Sequence, residues 1–151
     1  MIKKQFSITI NAPISKVRDM MLGDIGYRQW TEPFNPAGSR YQGDRSHGSK
    51  MLFLGPSPID PNDLWGMVST IAANRHHEFV SIQHLGEVHN GVEDTTSDRV
   101  KARAGAHENY TFTQQDNSTT VDVDVDMTDE FADYMNQARP QALNKLKEIC
   151  E

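Results

Sequence analysis

Between Thr119 and Ile149 the apolar residues change their period, and no other feature of the chain constrains its fold as strongly. Up to Met127, Val121, Val123 and Val125 alternate with Asp122, Asp124 and Asp126. Strict alternation of β-branched and acidic residues predicts a strand with one face buried and one in water. From Asp129 to Glu151, by contrast, Phe131, Tyr134, Met135, Ala138, Ala142, Leu146 and Ile149 recur at steps of three and four. That spacing predicts a long amphipathic helix with Thr128 or Asp129 capping its start. Pro140 removes one backbone donor and crowds the preceding turn, which predicts either a bend near Asn136 or a second helix starting at Pro140.

The alternating aspartates also match the first half of a calcium loop, with Asp133 where that loop closes. The match fails at Met127, where the sharp turn around the ion needs glycine. We therefore expect no metal site there. Of the six histidines, His76 and His77 are adjacent, and no pair has the helical or strand spacing that brings two ligands to one ion.

Upstream, Phe6, Ile8 and Ile10 alternate with Ser7, Thr9 and Asn11 and predict a first strand. Ile14, Val17, Met21 and Leu22 then mark a short helix between Pro13 and Gly23, and Asp24 to Thr31 a second, carrying Ile25, Tyr27 and Trp30. Five more strand-length runs follow: GSKMLFLG, LWGMVSTIAA, HEFVSIQHLG, HENYTFTQQ and TTVDVDVDM. They are separated by turn signals such as GPSPIDPND, AANRH and QQDNS. The expected architecture is α+β in a single domain spanning residues 1–151. It is a curved antiparallel sheet of about six to seven strands wrapped around one long C-terminal helix, with two short helices after the first strand. That helix is the only element long enough to cover the sheet's apolar face, and a ligand would fit between the two.

Charge narrows the partners. The net charge is −6, and residues 76–151 hold fifteen acidic side chains against six basic ones. Such a surface repels phosphate backbones and anionic lipid, which argues against nucleic acid or membrane as the main partner. No apolar run approaches the roughly 20 residues of a bilayer span. The start MIKKQFSITI lacks a secretory pattern, so a cytoplasmic location is expected. The lone cysteine, Cys150, has no partner for an internal disulfide and lies at a helix end, away from any pocket. No G-x-S-x-G elbow, P-loop or dinucleotide-binding glycine pattern is present, and no cofactor is expected.

The segments INAPISKVRDMM, LWGMVSTI, FVSIQHLGEV, ENYTFTQ, TTVDVDV and QALNKLKEICE, with the Trp30 segment, resemble the START-related helix-grip superfamily, also called SRPBCC. Within it the chain is most similar to the branch of the activator of heat-shock-protein ATPase. The resemblance implies a cavity between sheet and helix that holds lipids, sterols, polyketides or other apolar molecules, in some members with cyclase or hydrolase activity. It also implies, for the chaperone-activating members, a protein-interaction domain. Fold alone does not choose among these.

Strand alternation nominates the lining. Phe53, Trp65, Met67, Tyr110 and Phe112 come from strands, Phe131, Tyr134 and Met135 from the last helix, and Trp30 with Phe34 from the second short helix. Aromatics and adaptable methionines with few polar groups suit an apolar or aromatic, lipid-like or polyketide-like ligand. His84 and Glu108 are the catalytic candidates, since a carboxylate can orient a histidine as a general base. Alternation with Phe79 and Leu85 points His84 outward, whereas Glu108 shares the inward parity of Tyr110 and Phe112. The expected function is small-molecule binding. An enzyme using the same cavity is the alternative, as is an interaction domain with a protein partner or as a homodimer. The long stretch between Gly86 and Ala106 is expected to be a lid or an edge-covering loop.

Overall fold

The computed structural model describes residues 1–57 and 60–151, so Pro58 and Ile59 of the expected GPSPIDPND turn lie outside the described residues. In chain order the elements are β1 (Ile2–Ile10), α1 (Ile14–Leu22), α2 (Asp24–Trp30), β2 (Arg40–Gln42), β3 (Lys50–Pro56), β4 (Leu64–Arg75) and β5 (Phe79–His89). They continue with β6 (Val92–Asp94), α3 (Asp98–Lys101), β7 (His107–Gln115), β8 (Ser118–Met127) and α4 (Asp129–Cys150). The strands form one antiparallel sheet in the order β1-β8-β7-β5-β4-β3-β2, and β6 pairs with the far half of β5, beyond the reach of β7.

The Val/Asp segment is strand β8, held between β1 and β7. Val121 and Val123 pair with Ile8 and Phe6 on one side and with Phe112 and Tyr110 on the other. Cross-strand partners share a face, so this register stacks the apolar residues of three strands into one wall. The aspartates take the opposite face, where Asp126 meets Lys3 at 3.4 Å and accepts the backbone N–H of His107 at 3.0 Å. Against the apolar wall pack Val17, Met21 and Leu22 of α1 and Ala142, Leu143, Leu146 and Cys150 of α4. A smaller cluster of Leu54, Val68 and Val88 lies apart from this core.

Helix α4 runs unbroken through Pro140, so no second helix starts there. Ala138, Arg139, Ala142 and Leu143 are buried on both sides of the proline, and tertiary packing of that kind offsets the roughly 3 kcal/mol a helical proline costs. Thr128 occupies the N-cap without a side-chain bond, leaving the first turn to Asp129 and Glu130, whose charges complement the helix dipole. Helices α1 and α2 meet so tightly that a Cβ on Gly26 would lie 1.9 Å from the Met20 carbonyl oxygen, which is why glycine stands there.

The stretch from Gly86 to Ala106 covers an edge and is no lid. It completes β5, adds β6 to it and ends in α3, whose Val100 is buried. Past α3, Ala106 accepts from the His84 N–H at 2.8 Å and Gly105 donates to the His84 carbonyl at 2.9 Å.

Candidate functional site

Between the sheet and the start of α4 lies a half-open cavity of about 230 Å³. Its apolar wall is an arc of rings. Phe34 meets Trp30 at 6.4 Å, Trp30 meets Tyr27 at 5.9 Å, Tyr27 meets Phe53 at 6.1 Å, and Phe53 meets the His84 ring edge-on at 6.4 Å. Trp30 donates its indole N–H to the Met21 carbonyl at 2.9 Å, which fixes the ring against the end of α1. Trp65, Met67, Tyr134 and Met135 complete the lining at the mouth, where Trp65 is 40% and Tyr134 45% exposed. Tyr134 closes one side by donating its hydroxyl to the Phe34 carbonyl.

Of the ten residues expected to line a ligand space, eight line this cavity: Trp30, Phe34, Phe53, Trp65, Met67, Tyr110, Tyr134 and Met135. Phe112 and Phe131 do not. Phe112 points the same way as Tyr110 but further along β7, where it is buried in the core beneath the Arg18 guanidinium. Phe131 is 37% exposed on the first turn of α4, with the Arg103 guanidinium 5.1 Å from its ring. The apolar stripe of α4 thus splits into a buried C-terminal half and an exposed start.

His84 faces the cavity, contrary to the expected outward orientation. The inward residues of β5 are Val80, Ile82 and His84. Leu85 is the extra residue of a bulge, because Ser69 pairs with His84 and Val68 already pairs with Gly86. Val80, Ile82 and His84 alternate regularly, so Phe79 takes the opposite face, and Leu85 is displaced by the bulge; neither was a guide to the inward parity.

His84 belongs to a polar cluster in one wall of the cavity. Its Nδ1 lies 2.7 Å from the Ser69 hydroxyl, and its Nε2 lies 3.6 Å from Glu108 Oε1. Glu108 Oε2 is 3.3 Å from Arg139 Nη2 and accepts the Tyr110 hydroxyl, while Arg139 Nη1 donates to that hydroxyl oxygen at 3.3 Å. Arg139 also stacks over Phe34 at 4.7 Å. Burial alone would raise the Glu108 carboxyl, but Arg139, followed by His84 and Tyr110, outweighs it and holds the group well below the usual carboxylate range. Burial, reinforced by the Glu108 charge, pushes the Tyr110 hydroxyl well above its ordinary value. Glu108 is therefore a fixed anion and Tyr110 a fixed donor.

Chemically, the cluster offers a charge already neutralised by a buried arginine. Ser69, His84 and Glu108 follow the order of a hydrolytic triad, yet Ser69 is fully buried and outside the cavity wall, so its hydroxyl cannot meet a substrate there. Among the described residues no group of three histidine, cysteine or acidic side chains is placed to hold a metal ion. Burial pushes the Cys150 thiol up to about 11, and it lies in the core at the far end of α4.

Sequence reasoning missed Arg139, Tyr27 and Arg45, which all line the cavity. Arg139 had a legible signal, standing four residues after Met135 and four before Leu143 on the helix's apolar stripe. Arg45 had none, since it lies in a polar loop.

No protein-family model and no curated protein sequence matches the chain. Solved structures do. The Aha1 dimer of Colwellia psychrerythraea matches at 17% identity and TM-score 0.71, covering all of this chain and 97% of the other. The protein has the helix-grip fold. Protein NE0264 of Nitrosomonas europaea matches this helix-grip chain at 8% identity and TM-score 0.72, covering 98% of it and 93% of the other. DynU16, from the dynemicin biosynthetic locus, matches at 11% identity and TM-score 0.66, covering 97% of this chain and 46% of the other. Among the described residues, no helix is long and apolar enough to cross a membrane.

Proposed function

We propose that this single-domain, cytoplasmic protein binds an apolar or aromatic small molecule between the sheet and α4. The observation that carries the reading is the cavity wall: an arc of aromatic rings and methionines, interrupted by the cluster of Glu108, Arg139 and Tyr110, whose charges pair with each other, and by Arg45. Such a wall desolvates a ligand while leaving few fixed points to orient it. At about 230 Å³ the space falls just below the usual range of roughly 300 to 1,000 Å³ for ligand pockets, which favours a compact ring system over a long acyl chain. The biosynthetic locus of DynU16 is in keeping with a ligand of that kind.

The alternative enzymatic reading has weaker support, because the Glu108 charge is committed to Arg139 and Ser69 is sealed from the cavity. The interaction reading, with a protein partner or a homodimer, rests on the exposed rim of Trp65, Met67 and Tyr134 and on the dimeric Aha1 neighbour. The test of binding uses the two tryptophans, both of which line the cavity. An apolar dye should change their fluorescence, be displaced by polycyclic aromatic compounds, and lose affinity about tenfold when Trp65 and Tyr134 become alanine. Unchanged dye affinity in that variant would put the binding site elsewhere.

A further inference from the structure

Two buried arginines beside the cavity take no part in the Glu108 cluster. Arg45, in the loop between β2 and β3, has a left-handed backbone (φ 61°) and is 6% exposed. Its guanidinium lies over the rings of Tyr41, Phe53 and Tyr27 at 4.5, 5.6 and 5.7 Å. Rings satisfy the faces of a guanidinium, but its N–H donors point outward in the plane. Among the described residues, nothing accepts from the buried Nε and Nη2 of Arg45.

Arg18, on α1, is 8% exposed and repeats the pattern. Its Nη2 donates to Asn74 Oδ1 at 2.5 Å, and Asn74 Nδ2 in turn donates to the Arg45 carbonyl at 2.7 Å, so one asparagine ties the two arginines together. Among the described residues, the buried Nη1 of Arg18 has no acceptor. Burial, and next the neighbouring Arg45 charge, lowers the pKa of the Arg18 guanidinium.

Both arginines line an open cleft of about 470 Å³, and Leu22 and Arg45 belong to the walls of both the cleft and the apolar cavity. Two acids also border the cleft. Asp19 and Asp44 are exposed, and Asp44 accepts the N–H and hydroxyl of Ser46 at 2.9 and 2.6 Å. Neither accepts from the free donors of the arginines, although the Asp19 charge favours the Arg18 cation. Unpaired buried charge is costly, and a fold that keeps two such groups side by side is arranged for a counter-ion that arrives from outside.

We propose that Arg18 and Arg45 bind an oxyanion, and that the ligand of the adjoining cavity is an amphipathic acid whose carboxylate, sulfonate or phosphate meets their three free donors. The inference rests on the binding reading above and adds the charge of the ligand. Bidentate, charge-assisted hydrogen bonds are what a guanidinium edge offers such a group.

The test compares anilinonaphthalene sulfonate with its uncharged analogue phenylnaphthylamine, which share an apolar body. Wild type should hold the sulfonate about tenfold more tightly than the neutral dye. Arg18→Met, outside the apolar cavity, should remove most of that advantage while leaving neutral-dye affinity within about twofold; Arg45→Met, which also alters the cavity wall, should weaken the sulfonate more than the neutral dye, and Arg45→Lys should retain part of the advantage. Thermal midpoints of the methionine variants should be equal to or above that of wild type, since each loses an unpaired buried charge. Equal affinity for the two dyes in wild type, or variants that weaken both dyes alike, would overturn the oxyanion site and leave the cavity reading standing. Binding of neither dye would overturn both. Inorganic phosphate competing with the sulfonate at equal affinity would overturn the head-group assignment and give the site to a free anion.

Discussion

Changing Glu108 to Gln keeps the shape of the cavity wall and removes only its negative charge, leaving Arg139 with 2% of its side chain exposed and no anion beside it. Breaking a buried ion pair from one side typically costs about 3 to 5 kcal/mol, because the surviving charge stays desolvated. Glu108 is 16% exposed at the cavity wall, which admits some solvent, so the lower end applies: about 3 kcal/mol. In urea, with a slope of about 1.5 to 2 kcal/mol/M, the unfolding midpoint should fall by roughly 1.5 to 2 M. Replacing both residues, Glu108→Gln with Arg139→Met, should recover at least half of the loss. The pH profile provides a second reading. The folded carboxyl is held below its ordinary value of 4.5, so the unfolded chain takes up the proton first as pH falls. The pair's contribution is therefore complete above about pH 4.5 and shrinks below it, and the gap between wild type and Glu108→Gln should narrow in acid. A loss under about 1 kcal/mol at neutral pH, or a gap that stays constant from about pH 6 to pH 3, would refute the assignment of a buried, charge-locked pair.

Leu146 is fully buried against the sheet, so Leu146→Ala should cost about 2 to 5 kcal/mol by chemical denaturation, whereas the exposed Phe131 should cost under about 1 kcal/mol as alanine and leave dye binding unchanged. Calorimetric titration with calcium should give no stoichiometric isotherm for wild type, and Asp124→Ala should behave identically. A micromolar isotherm that vanished in the variant would reinstate a metal site on β8.

The fold was legible because its strongest signals are periodic and its core follows them. The Val/Asp alternation of β8 and the helical spacing of α4 each span enough residues for burial to average over local exceptions. Exceptions of a single residue were harder to read. Pro140 carries a strong local preference against helix, yet Ala138, Arg139, Ala142 and Leu143 around it are held by the sheet and its neighbours, and propensity yields to packing of that extent. The three-residue strands β2 and β6 are too short to show a period and exist only because β3 and β5 present edges for them.

The site was half legible for a related reason. An apolar lining is drawn from the same periods as the core, so eight of its aromatics and methionines could be named, four from strand parity and four from the helical segments. Polar residues in the wall carry no such period, and their placement depends on features that leave no compositional trace. His84 keeps the inward parity of Val80 and Ile82, which its apolar neighbours Phe79 and Leu85 mask, and a left-handed loop conformation delivers Arg45 to three rings. Such residues are costly to bury and contribute little to the hydrophobic pattern, so the fold does not require them. The Glu108–Arg139 pair resolves that cost internally, each ion serving as the other's partner. Among the described residues, Arg18 and Arg45 have no ion-pair partner that does the same, and on the proposal above that difference is what would let their side of the cavity select a ligand by its charge.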